Sequence, residues 1–287
     1  MLESLLGAKA VTASGLIYIP LVAGDLRQIT PPPSPPLTYM VPAVIGDMLI
    51  LDDNNGGNTR YTPVTDQWSF GGLATPPNYS RRLVSIKDDL CSIYATLTYV
   101  WIGSSKLTTF PSFSQIGLLN IPGGETSHQI TTVGRGPSNK LYIQTYGLKT
   151  GNKFLSFDMI TRLWGTLTIP GGVGGTAYDI SAVGNNKLYG NVRNAGVYQL
   201  GCYDIASNTW TYINYPTAGY RFTAANNRYV YALLRIDANN SKLEAYDTEE
   251  GVWLTIKESI PVAWTSMVVI KGHIFIVTAA GSFYEIT

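Results

Sequence analysis

The phrase aromatic, six residues, tryptophan is written four times in this chain: YTPVTDQW at 61–68, FDMITRLW at 157–164, YDIASNTW at 203–210 and YDTEEGVW at 246–253. A repeat of this kind constrains the fold more than any other feature. Each copy is one supersecondary unit that can bury its apolar face only against its neighbours. The tryptophans, Trp68, Trp164, Trp210 and Trp253, are 96, 46 and 43 residues apart. The first gap spans two units, so a copy without tryptophan is expected near residue 117, with Phe110 of KLTTFPSFSQIGLL in the aromatic position.

Two further markers keep the same register. An apolar pair opens a strand at Leu49-Ile50, Leu90-Cys91, Leu141-Tyr142, Leu188-Tyr189, Val230-Tyr231 and Ile274-Phe275. A proline follows each of five units, at Pro77, Pro122, Pro170, Pro216 and Pro261. Within one unit the pattern reads strand, turn, strand, polar loop, strand, tight turn, strand. DISAVG, KLYGNV, VYQLGCYD and WTYI are the four strands of the clearest copy, joined by GNN, RNAG and ASN. Gly, Asn and Asp accept the positive φ that short hairpins need. Four antiparallel strands every ~40–50 residues mark a β-propeller blade. The expected fold is therefore all-β: a six-bladed propeller of four-stranded antiparallel blades over residues 39–287.

In each copy the aromatic closes strand three, the following residue starts the turn and the tryptophan opens strand four. Trp68, Trp164, Trp210 and Trp253 are accordingly expected between blades as packing groups. Tyr203-Asp204…Trp210, Phe157-Asp158…Trp164 and Tyr246-Asp247…Trp253, with Leu-Tyr in strand two, resemble the Kelch-type propeller and the central domain of galactose-oxidase-like proteins. The Gly-Gly pair that ends strand two in Kelch repeats is missing; the chain reads QTYG, NVRN, LLRI and VTAA there.

The last unit supplies three strands, TSMVVI, HIFIVTA and SFYEIT. An open sheet edge invites aggregation, so a fourth strand from the N-terminal segment is expected, with LIYIPLV (16–22) the candidate and the Pro-rich stretch to 38 its connection. The alternative is that residues 1–38 do not close the ring and instead reach a neighbouring subunit. Residues 1–14 form either a frayed tail or a docking peptide, with Leu2, Leu5 and Leu6 on one side.

Charge and chemistry narrow the function by exclusion. Net charge is +1 with no basic stripe, which argues against nucleic acid as the main partner. No apolar run reaches the ~20 residues of a membrane helix. MLESLLGAKA carries an acid at position 3 and no basic region, a poor secretory signal, and a cytoplasmic site of synthesis is expected. Two distant cysteines do not make a disulfide framework. The two histidines, His128 and His273, stand apart from other ligand types, so no zinc, copper or other cofactor is expected. LDDNNGGNTR (51–60) lacks the acid that completes a calcium loop, and GGVGGT (171–176) lacks the lysine of a phosphate loop. The sialidase Asp-box is absent, and no pair of acids is assignable as a general acid and base.

The expectation that follows is a non-enzymatic recognition protein. Its loops between strands two and three, DDNNGGNTRY, TYVWIGSS, YGLKTGNK and RIDANNSK, read as long and polar, with Tyr99, Trp101, Asn54, Asn55, Asn239 and Asn240 as candidate contacts to proteins or glycans. The abundance of Gly, Asn, Thr and Tyr over few charges is similar to tailed-phage virion accessory proteins. That resemblance implies a fibre-type component that docks on other virion subunits through its N-terminus and attaches to a host glycan or surface protein. An intracellular Kelch-type scaffold and a propeller glycoside hydrolase are the alternatives.

Overall fold

In a computed structural model, the described residues are 26–286, apart from 30–41, 46–47, 53–56, 73–80, 87–88, 97–98, 107–112, 121–127, 137–138, 148–150, 173–174, 184–185, 262–265, 271 and 279–281. They form strands and turns with no helix. Strand β1 is Leu26–Ile29. Blade 1 follows as β2 (Pro42–Ile45), β3 (Met48–Asp52), β4 (Gly57–Thr62) and β5 (Gln67–Gly72). Blade 2 is β6 (Arg81–Ile86), β7 (Asp89–Ala95), β8 (Tyr99–Lys106) and β9 (Ser114–Asn120). Blade 3 is β10 (His128–Arg135), β11 (Lys140–Gly147), β12 (Lys153–Asp158) and β13 (Trp164–Leu167). Blade 4 is β14 (Thr176–Val183), β15 (Lys187–Asn194), β16 (Val197–Asp204) and β17 (Thr209–Ile213). Blade 5 is β18 (Arg221–Ala225), β19 (Tyr229–Arg235), β20 (Ser241–Asp247) and β21 (Val252–Ile260). The last three strands are β22 (Ser266–Ile270), β23 (His273–Val277) and β24 (Phe283–Ile286).

All pairings are antiparallel, and each of the first five blades keeps its strands in chain order. The sixth sheet runs β1-β24-β23-β22, so an N-terminal strand completes the C-terminal blade. The first strands of successive blades neighbour one another, and β22 closes back onto β2. The molecule is therefore a closed six-bladed propeller, and the first strand of each blade is the innermost.

The closing strand differs from the expected one. It is LRQI at 26–29, paired Leu26 to Ile286 and Ile29 to Phe283; LIYIPLV at 16–22 lies outside the described residues. Charge complementarity explains the choice of register. Arg27 faces Glu285 and forms an ion pair with it, and the other Glu285 oxygen accepts from His273 Nδ1 at 2.6 Å. Glu285 is buried, so the Arg27 guanidinium and the His273 ring hold a charge that would otherwise be stranded.

The repeat phrase resolves into one geometry. Tyr61 and Trp68, Phe157 and Trp164, Tyr203 and Trp210, and Tyr246 and Trp253 are direct cross-strand partners in the last hairpin of their blades. Their ring centroids lie 4.8–5.2 Å apart. Six intervening residues are what this hairpin needs to set the two rings opposite each other, tilted by 40–54°. The Asp after the aromatic caps the turn. Asp158 Oδ1 accepts from the amides of Ile160 and Thr161, Asp204 Oδ1 from Ser207, and Asp247 Oδ1 from Glu249 and Glu250.

The core is divided among the blade interfaces, one buried cluster to each of the six. Trp210 illustrates the join. It lies 5.4 Å from Phe154 of blade 3, and its Nε1 donates to Thr168 O at 2.8 Å. Trp253 Nε1 donates to Asn214 O at 3.0 Å on the link from blade 4. Trp68 packs at 5.1 Å on Phe283 of the closing blade, and Trp164 lies against the cluster shared by blades 2 and 3.

Candidate functional site

Chemistry concentrates where blades 4 and 5 meet. The first strand of blade 4 breaks register between Tyr178 and Ser181, a bulge that places Asp179 in the chain at φ 51°. Six described non-glycine residues have positive φ. Asp66, Asn139, Arg162, Ala195 and Asn208 stand at hairpin turns, and Asp179 alone stands inside a strand. The bulge rests on a glycine in the next strand. A Cβ at Gly190 would come within 2.8 Å of Tyr178 O and 3.2 Å of Ile180 Cα. From blade 5, Thr223 Oγ1 donates to Asp179 O at 3.0 Å and ties the bulge across the interface. Tyr178 and Asp179 are both half-buried on this innermost strand.

The link from blade 4 to blade 5 brings the other groups. Tyr215 is buried, and its hydroxyl donates to Asn191 Oδ1 at 3.3 Å. Burial pushes the Tyr215 phenol well above its ordinary range. Arg221 acts against that, while Asp179 and Glu244 add to it. Tyr215 is thus a neutral hydrogen-bonding group at any ordinary pH. Arg221 is fully buried, with its guanidinium 4.0 Å over the Tyr215 ring. It donates to Glu244 Oε2 at 3.0 Å and to the carbonyls of Thr217 and Gly219. Burial lowers the Arg221 pKa and Glu244 opposes that, yet a guanidinium stays charged in proteins. This pair sets the shape of the link, because the carbonyls it holds belong to that link.

Above Tyr215 is an open cleft. Gly196, Val197 and Tyr198 from the β15–β16 hairpin form one wall, and Asn214, Tyr215 and Gly219 of the link form the other. Tyr220 stands behind it, edge-to-face with Tyr198 at 5.3 Å, Tyr178 at 5.7 Å and Phe222 at 5.2 Å. Among the described residues no three His, Cys, Asp or Glu side chains gather as a metal cradle. No helix of the described residues is long and apolar enough to cross a membrane.

The residues singled out from the sequence do not meet at this place. Tyr99 and Trp101 are strand residues of β8, where a loop was expected. The run of β-branched and aromatic residues that looked like a recognition loop satisfies the sheet itself. Trp101 is half-buried, faces Tyr94 across the ladder and stacks on it at 4.8 Å, and its Nε1 donates to Gln115 Oε1 at 3.0 Å. Asn239 and Asn240 lie in the tight 236–240 turn, where Asp237 Oδ1 accepts from both backbone amides and the Asn240 amide returns to Asp237. That loop is short and self-satisfied. Asn54, Asn55, Leu2, Leu5 and Leu6 lie outside the described residues.

Neither a family model nor a curated protein matches this chain. Solved structures do. A luciferin-regenerating enzyme superposes with a TM-score of 0.64 at 11% identity, covering 91% of this chain and 95% of that one. Regucalcin of Agrobacterium tumefaciens, a calcium-binding protein, gives 0.62 at 11% over 94% and 95%. The WD40 domain of Pan2 from Neurospora crassa gives 0.56 at 10% over 92% and 83%. These likenesses show the propeller fold and single out no repeat class. They also correct the expectation of a non-enzymatic virion protein. That expectation rested on composition, and the same frame here carries an enzyme and a calcium-binding protein. The fold is therefore compatible with an activity, and composition alone does not establish a virion component.

Proposed function

We propose that this propeller is a hydrolase of a small polar substrate, with Asp179 as the group that accepts a proton from the attacking water. The reading stands nearest to the hydrolase alternative. The observation that carries it is the backbone at Asp179. A non-glycine residue held at φ 51° costs of the order of 1–3 kcal/mol. Hairpin chemistry does not demand it inside β14. Gly190 and Thr223 hold it from two sides. Strain that the surroundings enforce in this way is characteristic of reactive positions.

The neighbouring groups suit the role. Arg221 is committed to Glu244 and to the link carbonyls, and Glu244 also receives Lys242 at 3.5 Å. Glu244 is thereby withdrawn from acid–base work, so the two-carboxylate arrangement of glycosidases has no second member here. A single base serves hydrolysis: it takes the proton as the water oxygen attacks, and the proton passes on to the leaving group.

The aromatic–Asp–tryptophan hairpin supports a Kelch-like reading of the repeat, since its indoles bind the links between blades.

The test is hydrolysis of a panel of chromogenic glycosides and esters by the wild type and by Asp179→Asn. Asparagine accepts positive φ, so the bulge persists. A fall in kcat/KM of about 10²-fold or more with an unchanged melting temperature is expected. Full activity in the variant, or no turnover of any panel member by the wild type, overturns the reading.

A further inference from the structure

The cleft between the β15–β16 hairpin and the blade 4–5 link has a composition of its own. No lining residue carries a charge. The nearest cations are engaged with the cleft's own rings: the Arg221 guanidinium lies 4.0 Å over Tyr215 and is bound to Glu244, and that of Arg193 lies 6.0 Å over Tyr198. A neutral ligand meets aromatic faces and amides. The aromatic part is rigid. Tyr220 is held edge-to-face by three rings, of which Tyr198 belongs to the cleft wall. The amide part is oriented. Gln199 Oε1 accepts from Asn194 Nδ2 at 3.2 Å, and Gln199 Nε2 donates to Asn214 Oδ1 at 2.8 Å. This chain fixes which way the exposed Asn214 amide turns, and it leaves Nδ2 as the donor at the lip. The backbone of Asn214 is pinned in turn by the Trp253 indole.

We propose that this cleft binds a neutral sugar ring. A pyranose has an apolar C–H face that lies on an aromatic ring and a rim of hydroxyl oxygens that accept from an amide. Tyr198 supplies the first and Asn214 the second. A peptide is the weaker match. Extended peptides pair with a free sheet edge, and this cleft is walled by a turn and a link. The proposal rests on the hydrolase reading for what happens to the sugar next, and on nothing but the cleft for its binding.

The experiment is titration calorimetry of the full chain with methyl glucoside, methyl galactoside, methyl mannoside, N-acetylglucosamine, glucuronate and trialanine. Saturable binding of at least one neutral sugar, with glucuronate and trialanine silent, is expected. Tyr198→Ala and Asn214→Ala should each weaken it about tenfold or more, and Tyr198→Phe should keep it. Asn214→Asp keeps the shape and removes the donor, so it should weaken binding even if an alanine variant unfolds. Asp179→Asn should leave affinity unchanged. Binding without Asp179-dependent turnover would sink the hydrolase reading alone. Asp179-dependent turnover without sugar binding would sink this proposal alone. Preference for trialanine or glucuronate, or affinity indifferent to Tyr198 and Asn214, would also overturn it.

Discussion

Trp210 shows how one side chain serves both its own hairpin and the neighbouring blade. It faces Tyr203 across the strands, and it touches Phe154 and the Thr168 carbonyl of the preceding unit. Trp210→Ala removes a large ring and leaves a buried Phe154 without its neighbour. A loss of about 2–4 kcal/mol in urea unfolding is expected. This residue was legible in the sequence because its role is set by spacing within one hairpin. Asp179 was not. Its positive φ is held by Gly190 in the next strand, across one hairpin, and by Thr223 from another blade. Histidines, paired acids and loop aromatics are the signals that sequence carries locally, and Asp179 belongs to none of them. The available signal was the link NYPTAGYR, residues 214–221, which crowds two tyrosines and an arginine into one connection. Trp101 misled for the opposite reason: standing outside the repeat register, it looked exposed, yet it stacks flat within its own sheet.

At the scale of elements, all six second strands begin where the apolar pairs mark them, since buried strands are read from local hydrophobicity. The closing strand is harder to read. LRQI is short and polar, and nothing local marks it; its partners, from Phe283 for Ile29 to Ile286 for Leu26, lie 254 to 260 residues away in the chain, and Glu285 selects the register through Arg27. Glu285→Gln is expected to lower stability by about 1–3 kcal/mol, because Arg27 loses its anion and His273 its charged acceptor at a mostly buried site. Arg27→Ala should cost less, since Arg27 is half exposed and solvent screens its share. Hydrogen exchange should show the amides of β1 and β24 opening together in Glu285→Gln, while those of β15 and β16 keep their protection.

For the whole molecule, acid is the expected weakness. The carboxyls of Asp158 and Asp204 are held below the usual range by amides of their turns, and that of Asp237 by the Asn239 and Asn240 amides. At Asp247 burial acts upward, but the Arg228 bond and two turn amides prevail and the carboxyl is lowered. A depressed carboxyl stabilises the fold above its unfolded pKa, and that contribution is lost as the pH falls through the folded value. The melting temperature should therefore hold level from about pH 7 to 5 and drop below about pH 4. In Asp247→Asn the acid limb should be shallower. A melting curve that fell instead on the alkaline side would contradict these assignments. The closing strand also has a consequence in time. A ribosome adds roughly 5–20 residues each second. β1 is thus among the first described segments to emerge, and its partner β24 among the last. For some tens of seconds the nascent chain carries its own clasp with nothing to fasten, and the ring is sealed by a strand that was made before any blade existed.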